Sequence, residues 1–184
     1  MSSARGGLGG AYRRLLAAST VSNLGDGIGA LAYPWLASAV TRNPLLISLS
    51  IVLQRLPWLI FSLPAGVVAD RYDRARVMVV ANLVRAALTA VVAGTVLTRQ
   101  DQLPGPDELQ AGDNPVVGTD VPLYLLLMVA TLLLGIGEVL YDNAAQSFLP
   151  RLVAPDHLEK ANGRLWSAEQ IANAFVGPPL GAWL

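Results

Sequence analysis

Five ionisable residues lie inside stretches otherwise too apolar for them. Asp26 sits beside Gly25, Gly27 and Gly29 within residues 15–38, Arg55 within 45–69, Arg85 within 76–98, and Glu138 and Asp142 within 122–146. If those stretches cross a bilayer, each charge near the midplane costs about 2.5–3.5 kcal/mol, while one leucine returns only about 0.5 kcal/mol, so each must face protein or water. Asp26 and Glu138 are candidates for carboxylates that take up a proton in alternation with a substrate. The plainer reading is a static ion pair with Arg55 or Arg85, and the two arginines could equally attract an anionic substrate; the residues alone leave these open. Glu138 and Asp142, four apart and so on one helix face, could form an acid and base pair. No nucleophile, metal set or cofactor motif accompanies them, so an enzyme is not expected. The chain has no cysteine and one histidine, His157, which excludes a thiolate or multi-histidine metal site, and no cofactor is expected.

The elements that position these residues are long apolar helices. The 184 residues are 53% hydrophobic and 14% charged, against about 25% charged in soluble domains. Five stretches are candidate spans: 15–38, 45–69, 76–98, 122–146 and 163–184. At about 1.5 Å per residue each is long enough for a hydrocarbon core of roughly 30 Å. Residues 1–14, with a glycine cluster at positions 6, 7, 9 and 10, are expected to be a flexible cytoplasmic tail. Residues 99–121 carry Asp101, Asp107, Glu108, Asp113 and Asp120 among three prolines, too little apolar surface to pack, and are expected to be a mobile outer loop.

Orientation follows from the basic residues. Arg5, Arg13 and Arg14 precede the first span, Arg71, Arg74 and Arg76 lie between the second and third, and Arg151, Lys160 and Arg164 lie between the fourth and fifth. The opposite loops hold only Arg42 and Arg99. That asymmetry predicts a cytoplasmic N-terminus in a multi-pass protein of the cell membrane. Zero formal net charge gives no global field to attract nucleic acid.

The turn between the second and third spans reads Gly66-Val67-Val68-Ala69-Asp70-Arg71-Tyr72-Asp73-Arg74-Ala75-Arg76. It resembles the cytoplasmic signature of the major facilitator superfamily, with Gly66, Asp70, Arg71 and Arg74 in register and Arg76 just beyond. Asp73 replaces a glycine of that pattern and Ala75 a basic residue; an Asp there is similar to the siderophore-exporter-like and macrolide-efflux-like branch. The same branch is resembled by Glu138 through Gln146, Leu149-Pro150, Leu158 through Asn162 and Gly177-Pro178-Pro179-Leu180-Gly181. The resemblance implies an all-α membrane protein, the N-terminal helical bundle of a major-facilitator-type transporter, cut in its fifth transmembrane helix and lacking its C-terminal half. It implies secondary transport of small molecules by alternating access, with export as the direction and protons as the coupling ion. It also implies that Asp70 and Arg74 latch the two halves, with Asp142 as a partner for Arg74 or Arg71. A membrane protein without transport activity, or a nonfunctional truncated product, is the alternative.

Local physics adds detail. Asp73 is placed to cap the N-terminus of the third span. Gly66, and Gly177 with Gly181, are expected to let helices approach closely. Trp58, deep in the second span, could line a cavity, although ordinary packing is the expectation.

Overall fold

The computed structural model describes residues 8–104 and 118–183. Four long helices come first: α1 (Gly9–Val40), α2 (Pro44–Arg71), α3 (Arg74–Thr98) and α4 (Val121–Phe148). Two short 3-10 turns, Leu149–Arg151 and Pro155–His157, lead into α5 (Leu158–Gln170). A π-helical stretch, Ile171–Val176, then joins α5 to α6 (Gly177–Trp183). No strand is present among the described residues.

Caps set the helix starts. Asn43 accepts a hydrogen bond from Leu45 N, with Pro44 opening α2 where its missing N–H costs nothing. Asp73 accepts from Arg76 N at 2.9 Å and caps α3 as its position implied. Asp120 accepts from Leu123 N at 3.1 Å and caps α4. Asp120 also receives Arg99 Nη1 at 2.8 Å, while its own N–H donates to Val40 O at 3.0 Å. One residue thereby ties the ends of α1 and α3 to the start of α4.

α2, α3 and α4 are each long and apolar enough to cross a membrane, counting α4 with the turn after it, Val121–Arg151. α1, at 32 residues, also has the length to cross, although it carries Arg13, Arg14 and Asp26. α4 is the hub and packs against α1, α2 and α3, while α1 packs along α5 and α6. Leu45, Leu59 and Leu63 of α2 and Leu83 of α3 stand exposed on the outer surface. Such a surface would drive association in water but costs nothing against lipid.

Two apolar cores divide the bundle. One, at the end of the arginine-rich turn, gathers Tyr12, Leu15, Met78, Tyr141, Leu149 and Leu165. The other, at the opposite end, gathers Val40, Val92, Leu123, Leu127 and Met128. Ser19, Asn23, Asp26, Arg85 and Glu138 occupy the level between them along their helices.

The structure corrects three expectations. Residues 9–14 are not a flexible tail but the first turns of α1, because Tyr12 is buried and its hydroxyl donates to Ala161 O at 3.0 Å, docking this end on α5. The helix leading into the last segment and that segment form one nearly continuous run from Leu158, not a span starting near Gly163. Gly66 makes no close helix approach: a Cβ there would meet nothing nearer than Asn143 Oδ1 at 3.9 Å. The tail residues 1–7, and residues 105–117 of the outer loop expected to be mobile, lie outside the described residues.

Candidate functional site

The intermediate polar level is built on one ion pair. Arg85 of α3 reaches across to Asp26 of α1, Nη2 bonding Oδ1, with both side chains nearly buried. Its other terminal nitrogen, Nη1, donates to Ser22 Oγ at 2.8 Å and Asn82 Oδ1 at 3.0 Å. Three partners thus fix the guanidinium fork, as a planar group with donors in a rigid array requires. The stem of Arg85 needs space, and Gly137 of α4 supplies it. A Cβ at position 137 would fall 2.7 Å from Arg85 Cγ and 2.8 Å from Cδ.

Glu138, the next residue on α4, faces a different neighbour. Trp58 Nε1 of α2 donates to Glu138 Oε1 at 3.4 Å, so the deep tryptophan is not mere packing. Glu138 is in no salt bridge among the described residues; the charges it feels are those of Asp26, Arg85 and Arg55. Asp26, Arg55, Arg85 and Glu138 together line one cavity of about 940 Å³, whose remaining walls are largely apolar side chains of α1 and α3. That volume falls in the range of small-molecule pockets. Gln54 contributes a buried Nε2 with no hydrogen-bond partner, and Arg85 Nε is a second unspent donor among the described residues.

Of the two arginines expected as partners for Asp26, the structure selects Arg85. Arg55 is exposed at the cavity and makes no ion pair among the described residues. The expected latch of Asp142 to Arg74 or Arg71 is not formed: no salt bridge joins them among the described residues, and Arg74 pairs with Asp70 at 3.5 Å. The reason is depth. Asp142 lies six residues before the end of α4, roughly 9 Å inside it, where its charged neighbours are Glu138, Glu169 and Asp26, with Arg85 the cation. The side chain of Asp70 is 75% exposed at the turn, beside exposed Arg71 and Arg76.

A second polar line runs beside the ion pair. Asn173 Nδ2, within the π-helical stretch, donates to Asn23 Oδ1 at 3.4 Å, and Asn23 Nδ2 donates to Ser19 O at 3.0 Å. Ser19 Oγ lies 3.2 Å from the Tyr141 hydroxyl. This line rests on a backbone contact between helices: a Cβ on Gly27 would lie 2.9 Å from Gly177 Cα. Gly177 and Gly181 therefore permit the close approach their spacing implied, Gly181 against Ile28.

Sequence reasoning missed Ser22, Asn82 and Gly137, and did not give Trp58 its contact with Glu138. Ser22 and Asn82 carry no signal until the helices are placed. Gly137 did carry one, since a glycine inside an apolar helix usually marks a close neighbour.

A bundle of long apolar helices with buried charges meeting at one cavity defines a membrane protein built around a polar interior. The Major Facilitator Superfamily model matches residues 15–184, and the chain belongs to that family of membrane transporters. Two relatives, both called macrolide efflux protein A and both from Streptococcus pyogenes (one from serotype M6), are 26% identical over 175 residues. The match covers 94% of this chain but 37% of each relative, so the chain spans little more than a third of their length. No solved structure matches the chain.

Proposed function

We propose that this chain serves as the leading part of a secondary active exporter of small molecules, working by proton-coupled alternating access in the cell membrane with its N-terminus inside. The observation that carries the reading is the Asp26–Arg85 pair on the wall of the 940 Å³ cavity. A proton arriving at Asp26 neutralises the carboxylate and releases Arg85, removing the charge contact that joins α1 to α3. Loss of that contact is the differential interaction a proton needs in order to shift a conformational equilibrium. Glu138, in no salt bridge among the described residues, and exposed Arg55 on the cavity wall are the groups available to a substrate's polar atoms. Asp70, Arg71, Arg74 and Arg76 fit the role of a cytoplasmic latch toward a C-terminal half, with Asp142 an interior acid and not their partner.

The first substrate to assay is a macrolide, since that is what the two relatives are named for. In the full-length protein carrying this chain, an imposed proton gradient is expected to drive uphill efflux, and Asp26→Asn to abolish it while downhill exchange persists. Uphill efflux unchanged by Asp26→Asn would remove this residue as the proton carrier.

A further inference from the structure

At the end of the bundle that holds the arginine-rich turn, a shallow groove of about 620 Å³ runs between α1 and α5, separate from the cavity around Asp26. Lys160, Arg164 and Ser167 line it together with Gly163, Ala168, Ile171 and, from α1, Leu16. Lys160 and Arg164 are one helical turn apart and share a face. Neither makes a salt bridge among the described residues, although acidic Glu159 is adjacent in sequence. Arg13 of α1, one turn before Leu16, is exposed. Beyond Ile171 the sequence carries no further charge to residue 184. The groove thus straddles the step from charged to apolar chain, with unneutralised Lys160 and Arg164 on the early turns of α5, Ile171 just past its end, and Leu16 facing them from α1.

We infer that this groove binds an anionic phospholipid, the phosphate held between Lys160 and Arg164 with Ser167 as an added donor, and the acyl chains lying along Leu16 and Ile171. The charge argument selects the occupant. Two adjacent ammonium and guanidinium groups without a carboxylate partner are a poor site for a zwitterion but suit a headgroup of net negative charge, and basic pockets between helices at the cytoplasmic boundary favour such lipids. A soluble anion would leave the apolar part of the groove uncovered. The assignment of this end to the inner leaflet rests on the orientation proposed above; the site itself does not depend on transport.

The test reads thermal unfolding of the 184-residue chain in detergent with added lipid. Phosphatidylglycerol is expected to raise the unfolding temperature by about 5 °C more than phosphatidylcholine does, the size of shift a saturating ligand gives a chain of this length. Lys160→Gln with Arg164→Gln is expected to erase that difference, and the charge-preserving Lys160→Arg with Arg164→Lys to keep it. Equal stabilisation of the unsubstituted chain by both lipids would overturn the proposal without reference to any variant. Full retention of the difference in the glutamine pair would overturn it too. An equal rise with soluble glycerol phosphate would show an anion site and not a lipid site.

Discussion

Arg85→Leu is expected to destabilise the folded chain by about 3–5 kcal/mol, the cost of leaving one partner of a buried pair without the other. Removing the guanidinium leaves the Asp26 carboxylate nearly buried and unmatched, and strips Ser22 and Asn82 of a shared donor. Replacing both partners should cost far less, because the pair's attraction largely offsets the desolvation of its two charges. The double variant Asp26→Asn with Arg85→Leu is therefore expected to recover most of the loss, a non-additivity of the kind neighbours in one network show. Titration of the purified chain from mild detergent into a denaturing one, followed by helical circular dichroism, gives the midpoints. Strict additivity of the two single changes would mean that the pair is not a coupled unit.

The second large effect is at the junction of α1 with the last helical run. Gly27→Val places branched carbon against Gly177 Cα and the Asn173 backbone, which flexible side chains cannot relieve. We expect a loss of about 1–3 kcal/mol and weakened packing of α5 and α6 on α1. Gly25 is the internal control, two residues away on the same helix with no atom within 4 Å of its would-be Cβ. Gly25→Val should change stability by less than about 0.5 kcal/mol. Similar losses at the two positions would mean that the valine side chain itself, and not the helix contact, is responsible.

Much of this architecture is legible before any coordinates. Helix class follows from apolar length, and the starts of α3 and of the later spans follow from Asp73 and the prolines, because both signals are local. The motif turn is legible for the same reason. What fails is anything that depends on rotation about a helix axis or on depth. The resemblance implies Asp142 as a partner for the signature arginines; in the fold it lies in an acidic interior level, while Arg74 finds Asp70 on its own turn. Gly66 and Gly137 are both glycines in apolar helices, yet only Gly137 meets a neighbour that a methyl group would strike. Tyr12 belongs to a segment whose glycines suggested flexibility, but its hydroxyl finds a carbonyl of α5, a residue far along the chain that no local pattern indicates. The cost of burying charge singles out Asp26 and Arg85 without geometry; that Asp26 pairs with Arg85 and not Arg55 needs the fold.

The central claim is that α1 to α4 cross a bilayer with the arginine-rich turn on its inner face. The chain has no cysteine, so single cysteines introduced at exposed positions report side directly. With a membrane-impermeant maleimide, Tyr72→Cys between α2 and α3 is predicted to stay unlabelled in intact cells and to react in inverted vesicles, with Gln100→Cys after α3 behaving in reverse. Labelling of Tyr72→Cys from outside intact cells, or equal labelling of both positions from one side, would contradict the account.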